Sequence, residues 1–308
     1  MIELKPDFLR GSYPPVITPF TADGAVDYDA YAGLVEFQIR EGSHGIVVNG
    51  TTAEPSLLTV EERQRLLEKA LEVVDKRIPV VAATGSQSHA ETAALTDHAT
   101  KAGADALLVV TPYYVRPPQR GLVAYFSDIG ARTDLPVMMY HIPGRAAVTV
   151  PIDTLETIAA ATPNFVGMKH AAVDMGLMTE AIDSFGPDFR VFVGLEELSF
   201  PMMAMGACGM VNAVSNIAPG PIAQLFEAVN RGDLAEARRL HYALFDLNRA
   251  VFFDTNPIAI KYMAKKLGIL AENHHRLPMM PATPDVERRL DAVLAKAGLI
   301  SQQETEYA

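Results

Sequence analysis

Residues 106–110 read Ala-Leu-Leu-Val-Val, and residues 136–140 read Pro-Val-Met-Met-Tyr, with an amphipathic stretch between them. Neither run alternates apolar with polar residues, which is typical of strands that are buried on both faces of a parallel sheet. The same succession of short apolar runs and longer amphipathic stretches extends in both directions, from residue 13 to about residue 213. It predicts repeated βα units around a parallel sheet.

Eight apolar runs are predicted to be strands: residues 15–18, 45–48, 79–82, 106–110, 136–140, 165–169, 190–193 and 209–213. Helical patterns fill the intervals, for example over residues 27–41 and after Thr59, which precedes an acidic first turn. Eight such units predict a closed (β/α)₈ TIM barrel. A doubly wound open sheet is the alternative, but no glycine-rich dinucleotide motif follows any predicted strand.

The strand signal stops after about residue 219. Residues 221–230, 234–250, 257–267 and 284–297 have helical patterns only. We therefore expect a barrel over residues 1–225 and a C-terminal helical subdomain over residues 226–308.

Charge and cysteine content restrict the possible partners and compartment. The formal net charge of -11 disfavours binding to nucleic acid or to an anionic membrane surface. The chain has one cysteine, Cys208, which excludes an intramolecular disulfide and is typical of a reducing compartment. No leader pattern and no apolar stretch of about 18 residues is seen. We expect a soluble cytoplasmic protein that binds neither nucleic acid nor membrane.

Lys169 is the lysine whose position indicates chemistry. It ends the apolar run 165–169, at the carboxyl end of a predicted strand, where barrel enzymes place their catalytic groups. A lysine at this position is partly withdrawn from water, which favours the neutral amine that attacks a carbonyl carbon. The alternative is a structural lysine that reaches solvent or pairs with a carboxylate such as Glu196 or Glu197.

Three other strand ends would converge above Lys169 in a closed barrel. Residues 49–54 read Asn-Gly-Thr-Thr-Ala-Glu, residues 111–114 read Thr-Pro-Tyr-Tyr, and residues 140–145 read Tyr-His-Ile-Pro-Gly-Arg. Threonine hydroxyls and the backbone N–H groups after Gly50 can hold a carboxylate, and tyrosine hydroxyls can pass a proton. Their convergence near Lys169 favours a site that holds a carboxylate beside a proton carrier.

Other chemistries have little support in the sequence. The histidines at 44, 89, 98 and 241 lack a second ligand at metal spacing, and those at 274 and 275 are adjacent, so we expect no metal site. No Gly-x-Ser-x-Gly elbow or Walker-type loop is present, which argues against a serine hydrolase or a P-loop NTPase. Cys208 is expected to be a small buried residue.

Five motifs together resemble one known family. They are Val-Ile-Thr-Pro-Phe at 16–20, Gly-Thr-Thr-Ala-Glu at 50–54, Thr-Pro-Tyr-Tyr-Val-Arg-Pro at 111–117, Tyr-His-Ile-Pro-Gly-Arg at 140–145 and Gly-Met-Lys at 167–169. In this order and spacing they resemble the dihydrodipicolinate synthase / N-acetylneuraminate lyase family of class I pyruvate aldolases, over almost the whole chain.

The resemblance implies a role for each motif residue. Lys169 would form an imine with pyruvate or a similar 2-oxo acid, and Tyr140 would donate and accept the proton. Thr51 and Tyr114 would complete the proton relay, with Tyr114 reaching the active site of a neighbouring subunit. The implied assembly is a homotetramer built as a dimer of dimers.

The resemblance also implies how substrates are held. Thr51 and Thr52, with Gly50, would bind the pyruvate carboxylate, Arg145 would bind a carboxylate on the aldehyde partner, and Val211 would belong to the same substrate-binding set. A guanidinium suits this task because it offers a planar fork to two oxygens. The implied mechanism needs no metal and no organic cofactor.

The chain departs from the synthase branch at Ala53, Pro55, His141, Ile142, His170 and Ala172, where that branch has glycine, serine, asparagine, valine, glutamate and threonine. We expect these positions to border the aldehyde. The first expectation for the activity is dihydrodipicolinate synthase-like condensation of pyruvate with a carboxylated aldehyde. The alternatives are a 4-hydroxy-2-oxo diacid aldolase of the 2,4-dihydroxyhept-2-ene-1,7-dioate type, which releases pyruvate and succinate semialdehyde, a sugar-acid aldolase or dehydratase, and a catalytically silent ligand-binding barrel.

Overall fold

A computed structural model describes residues 1–301 of the 308-residue chain. Its strands are β1 (Gly11–Ser12), β2 (Ile46–Val48), β3 (Val80–Ala83), β4 (Ala106–Val110), β5 (Val137–His141), β6 (Phe165–His170), β7 (Arg190–Val193) and β8 (Gly209–Met210). From β2 to β8 each strand pairs in parallel with the next along the chain, and β8 pairs in parallel with β1. The predicted (β/α)₈ barrel is confirmed.

The segment that follows β1 closes the ring. The Val47 N–H donates to the Pro14 carbonyl at 2.9 Å, and the Val16 N–H donates to the Val47 carbonyl at 3.0 Å. The prediction of a first strand at residues 15–18 is therefore wrong, because the regular strand lies at residues 11–12. Pro14 and Pro15 have no N–H to donate, so the chain past β1 makes an isolated bridge instead of a continuous ladder.

Helices follow the strands around the barrel. They are α1 (Tyr28–Arg40), α2 (Val60–Val74), α3 (His89–Ala102), α4 (Gln119–Ala131), α5 (Pro143–Ala146), α6 (Ile152–Ala161), α7 (Met175–Phe185), α8 (Ser199–Ala204), α9 (Pro219–Asn230), α10 (Leu234–Ala250), α11 (Ile258–Lys266) and α12 (Pro284–Lys296). The predicted start at Thr59 is confirmed, because its hydroxyl accepts from the Glu62 N–H while the Glu62 carboxylate accepts from the Thr59 N–H.

The strands separate two apolar clusters. One fills the inside of the barrel and includes Val47, Leu108 and Phe192, and the other lies between the strands and the helices and includes Val109 and Met139. Alternate residues of a strand point to opposite faces, which explains the division. Residues at the carboxyl ends that point inward therefore meet at the top of the barrel.

Helices α9 to α12 complete the described chain. Helix α10 packs against α9, and α12 packs against α11 and α10. The boundary predicted at residue 225 falls within α9, and residues 302–308 of the predicted subdomain lie outside the described residues, so that division stays a prediction. Within residues 1–301, no helix has both the length and the apolar character needed to cross a membrane.

Candidate active site

Lys169 lies inside the barrel beside Tyr140. The two residues are in register on β6 and β5, and the Lys169 Nζ is 4.2 Å from the centroid of the Tyr140 ring. The Lys169 side chain is buried, with 5% of the residue exposed. None of the ion pairs found within residues 1–301 includes Lys169, and Glu197 pairs instead with Arg249. Burial raises the pKa of the Glu196 carboxyl, although the nearby Lys169 acts in the opposite direction, and this carboxylate accepts from the Ala213 N–H at 2.7 Å. Among the described residues, the Lys169 amine therefore makes no ion pair with a carboxylate.

Gly194, the residue after β7, makes room for the Lys169 side chain. A Cβ at this position would lie 2.8 Å from the Lys169 Cε and 2.7 Å from the Ala171 Cβ. The Gly194 N–H donates to the His170 carbonyl at 2.8 Å, which holds its backbone against β6. Gly194 was not among the predicted site residues, although a glycine directly after a predicted strand was a signal that could have identified it.

Thr51 contacts Tyr140 from the turn that follows β2. Residues Thr51–Ala53 form one turn of 3₁₀-helix, in which the Ala53 N–H donates to the Gly50 carbonyl. This turn directs the Thr51 hydroxyl to the Tyr140 hydroxyl, to which it donates at 3.3 Å. Three of the predicted residues, Thr51, Tyr140 and Lys169, are thus brought together in one chain. The Thr51–Tyr140–Lys169 arrangement can carry a proton to and from a group bound at the amine.

Asn256 joins two other predicted residues. Its side-chain amide donates to the Thr52 hydroxyl at 3.0 Å, and its backbone carbonyl accepts from the Arg145 guanidinium at 3.3 Å. Because the Thr52 oxygen accepts this hydrogen bond, its own hydrogen can be donated to a carboxylate. Nothing in the sequence links residues 52 and 256, which come together only through the fold.

A cavity of about 370 Å³ opens above this cluster. Predicted site residues that line it are Gly50, Thr51, Tyr140 and Arg145, and Pro55 also lines it. Lys169 is not among the described residues that line the cavity. Tyr140, however, both borders the cavity and lies against the Lys169 amine. Tyr140 therefore lies between the Lys169 amine and the cavity.

Val211 and Tyr114 lie apart from that cavity. Val211 is buried inside the barrel, in the apolar cluster that contains Tyr140 and Phe192. Tyr114 is 91% exposed and has a left-handed backbone with a φ of 70°. Its neighbour Tyr113 lines the cavity, and the Tyr113 hydroxyl lies 3.3 Å from that of Ser56. In the single chain, Tyr113 rather than Tyr114 is the tyrosine that borders the site.

A buried ion pair supports the Thr51–Thr52 turn from below. The Lys261 Nζ on α11 is 2.6 Å from the Glu54 carboxylate, and both side chains are buried. Burial opposes ionisation of Glu54, but His275 and Lys261 outweigh it and lower the pKa of the Glu54 carboxyl. The Glu54 backbone is left-handed, with a φ of 59°. The C-terminal helices thus fix the end of the turn that carries the two threonines.

Two of the departures from the synthase branch do not border the cavity. His141 and His170 follow Tyr140 and Lys169 along their strands, so they point to the opposite face, between the barrel wall and the helices. The expectation that they border the aldehyde is wrong for this reason. Ala53 is buried, whereas Pro55 does line the cavity as expected.

Cys208 is buried at the entry to β8. Burial raises the pKa of its thiol to about 12, which leaves the side chain protonated and unreactive. This agrees with the expected structural role.

A sequence model described as the Dihydrodipicolinate synthetase family matches residues 8–297. The chain is 43% identical over 296 residues to a 4-hydroxy-tetrahydrodipicolinate synthase of Thermus thermophilus, covering 96% of this chain and 98% of that protein. It is also similar to the crystal structure of dihydrodipicolinate synthase from Aquifex aeolicus, with a TM-score of 0.92, 39% identity and coverage of 94% and 98%.

A second solved structure carries a ligand. It is the chloride-inhibited dihydrodipicolinate synthase from Acinetobacter baumannii complexed with pyruvate. This chain is 34% identical to it, with a TM-score of 0.92 and coverage of 95% of this chain and 100% of that one.

Proposed function

This chain belongs to the dihydrodipicolinate synthetase family, and we propose on that premise that it is a lysine Schiff-base lyase of the 4-hydroxy-tetrahydrodipicolinate synthase type. It condenses pyruvate with a small aldehyde that carries a carboxylate. The observation that carries this proposal is the buried Lys169 amine, without a carboxylate partner among the described residues, against a Tyr140 ring whose hydroxyl accepts from Thr51. The names of the relatives and the pyruvate complex of one of them support it.

The chemistry follows from an amine beside a proton carrier. Lys169 attacks the C2 carbonyl of pyruvate, and loss of water leaves an imine between Nζ and C2. Tyr140 delivers the proton that the departing oxygen needs, which leaves its own oxygen able to accept one. The protonated imine then accepts the electron pair of a C3–H bond while the C3 proton passes to the Tyr140 oxygen, which gives an enamine.

The enamine carbon attacks the aldehyde carbon, and the new oxyanion takes a proton from the Tyr140 relay. Hydrolysis of the imine releases the product and restores the amine. The proposal needs no metal or organic cofactor, because the protonated imine itself takes up the electron pair.

Two carboxylates must be held in this scheme. We assign the pyruvate carboxylate to the Thr52 hydroxyl and to the backbone N–H groups of Thr51 and Thr52 after Gly50, because the Thr51 hydroxyl already donates its hydrogen to Tyr140. The aldehyde carboxylate is assigned to Arg145, whose exposed guanidinium lies at the rim of the cavity. Val211 would contribute an apolar wall inside the barrel, near the methyl group of pyruvate.

We also propose that the active form is a homotetramer made of two dimers. The exposure of Tyr114, of which 91% is open to solvent beside the cavity-lining Tyr113, supports this assembly because it leaves an aromatic ring available for contact with a second copy of the chain. Light scattering during turnover tests this assembly. Full activity in a monomer would contradict the role of Tyr114 in a neighbouring site.

Borohydride reduction in the presence of pyruvate tests the proposed function. We expect covalent labelling of the peptide that contains Lys169 and none in Lys169→Ala, while Lys296→Ala, which removes an exposed lysine, labels normally. Lys169→Ala should unfold at nearly the wild-type temperature. Turnover or labelling in Lys169→Ala would end the Schiff-base proposal.

A coupled assay then separates the possible aldehydes. Pyruvate is supplied with either aspartate semialdehyde or succinate semialdehyde, and the specificity constants are compared. Preference for aspartate semialdehyde supports the synthase reaction, whereas preference for succinate semialdehyde would indicate a 4-hydroxy-2-oxo diacid aldolase running in the synthetic direction.

A further inference from the structure

Two buried histidines form a side-chain contact one residue beyond the catalytic pair. His141 ends β5 and His170 ends β6, and the two residues are in register. Their Nδ1 atoms are 3.2 Å apart, and the rings stack with centroids 5.3 Å apart and an angle of 18° between planes. Both side chains are buried on the outer face of the barrel wall, opposite to Tyr140 and Lys169. The proposed reaction uses neither imidazole.

The outer nitrogens of the pair fix where every proton lies. The Val150 N–H can only donate, so His141 Nε2 accepts from it, at 3.3 Å. The Asp174 carbonyl can only accept, so His170 Nε2 donates to it, at 2.8 Å. His170 Nδ1 is then an acceptor and His141 Nδ1 is the donor between the rings. One arrangement of protons satisfies all four nitrogens, and in it both imidazoles are neutral.

An additional proton on either imidazole would break one of these hydrogen bonds. On His170 Nδ1 it would face the N–H of His141, and on His141 Nε2 it would face the N–H of Val150. Burial lowers the pKa of both imidazoles, and for His141 the neighbouring His170 lowers it further. Asp174 opposes the shift, through its backbone carbonyl and its carboxylate for His170 and through its carboxylate for His141. The pair thus stays neutral and fully hydrogen-bonded.

The pair connects two loops at the top of the barrel. Val150 closes the segment 142–149, which contains α5 and carries Arg145 at the cavity rim. Asp174 caps the start of α7, because its carboxylate accepts from the Leu177 N–H. A continuous chain of hydrogen bonds therefore runs from the end of the Arg145 segment, through both rings, to the start of α7.

We propose that His141 is a positioning residue for the second substrate, which anchors the Arg145 segment through its hydrogen bond to the Val150 N–H and is itself oriented by His170. The effect on the second substrate rests on the proposed function, in which Arg145 binds the aldehyde carboxylate. Imine formation at Lys169 does not depend on this anchor, because Tyr140 and Lys169 lie on the other face of the strands.

Two substitutions of similar size separate the two hydrogen bonds of His141. The side-chain amide of asparagine takes the place of Nδ1, so His141→Asn keeps the contact with His170 and loses Val150. The longer side chain of glutamine places its carbonyl near Nε2, so His141→Gln keeps the contact with Val150 and loses His170. Both variants retain a neutral polar group, and only one retains the anchor.

Hydrogen exchange of the peptide that contains Val150 measures the anchor directly. We expect faster exchange in His141→Asn, by about three- to tenfold for the loss of one hydrogen bond, and near wild-type exchange in His141→Gln. The Michaelis constant for the carboxylated aldehyde should rise by a similar factor in His141→Asn and stay within about twofold of wild type in His141→Gln. The borohydride labelling rate with pyruvate should be unchanged in both.

Equal exchange and equal Michaelis constants in the two variants would overturn the proposal and leave the pair as packing only. A labelling rate that falls in parallel with aldehyde binding would overturn it as well, because the effect would then not be specific to the Arg145 segment. If wild-type protein fails to label with pyruvate, the proposed function fails instead, and the exchange experiment still decides whether His141 anchors Val150.

Discussion

Replacing Gly194 by alanine should displace the Lys169 amine from Tyr140. The added Cβ would lie 2.8 Å from the Lys169 Cε, about 0.6 Å inside the ordinary contact distance, which begins at 3.4 Å. It would also lie 2.7 Å from the Ala171 Cβ, so residue 194 cannot shift toward Ala171 to make room for the methyl group. The Gly194 backbone is held by its bond to the His170 carbonyl. The flexible lysine side chain is therefore the group that moves.

A displacement of this size has a defined kinetic cost. Since a misplacement of about 1 Å lowers the rate of an oriented reaction about a hundredfold, we expect Gly194→Ala to lower kcat by roughly ten- to a hundredfold. Overpacking by one methyl group should lower the free energy of unfolding by about 1–3 kcal/mol, which leaves the protein folded at room temperature. The substitution should thus lower kcat strongly while the protein stays folded.

The assay is the rate of borohydride labelling at saturating pyruvate, alongside kcat and the thermal unfolding temperature. Gly33→Ala is the matched control, because a Cβ there meets nothing within 4 Å inside α1; we expect normal labelling and a free energy of unfolding raised by about 0.5–1 kcal/mol. A labelling rate within about twofold of wild type in Gly194→Ala would refute the reasoning that links this glycine to the amine.

Three other predictions concern the ion pair, the histidine pair and the substrate carboxylate. Lys261→Met leaves the Glu54 carboxylate buried without its partner at 2.6 Å, so urea unfolding should show a loss of about 3–5 kcal/mol; a loss under about 1 kcal/mol would contradict a stabilising pair. Burial lowers the pKa of His141 to about 4, so the unfolded chain takes up a proton below about pH 6.5 that the folded chain does not bind. As the pH is lowered from about 6.5 to about 4, the free energy of unfolding should then fall by as much as about 3 kcal/mol. If the wild type and His141→Gln differed in free energy of unfolding by the same amount at every pH in this range, His141 would not be the group responsible. Arg145→Ala should lower the specificity constant for a carboxylated aldehyde more than that for a neutral aldehyde, by a factor equivalent to about 1.5–3 kcal/mol. Equal losses for both aldehydes would remove the case for a carboxylated substrate.

The barrel and the position of Lys169, the proposed nucleophile, were predictable from local patterns. Parallel strands buried on both faces leave continuous apolar runs, and the carboxyl ends of such strands share one edge of the barrel. These two facts led to Lys169, Tyr140 and Thr51, and the structure brings their side chains together. The orientation of His141 and His170 could also have been predicted. If Tyr140 and Lys169 point into the barrel, the next residue on each strand must point outward.

Contacts between distant parts of the chain were not predictable in this way. Asn256 and Lys261 lie in helical and turn patterns that carry no sign of their partners, Thr52 and Glu54. The first strand was misplaced for a different reason. Apolar residues after Pro14 and Pro15 have the composition of a strand, but a ladder also needs backbone donors, which proline lacks.

The bond between Thr52 and Asn256 spans 204 positions, and the Glu54–Lys261 pair spans a similar distance. During synthesis the Thr51–Thr52 turn leaves the ribosome long before Asn256 and Lys261, the residues that hold it. A nascent chain that already contains Lys169, the proposed nucleophile, therefore lacks a fixed carboxylate-binding turn until α11 has left the exit tunnel. We expect chains stalled before residue 256 to bind pyruvate poorly even where the strands have formed, which would delay the onset of activity until α11 has been synthesised.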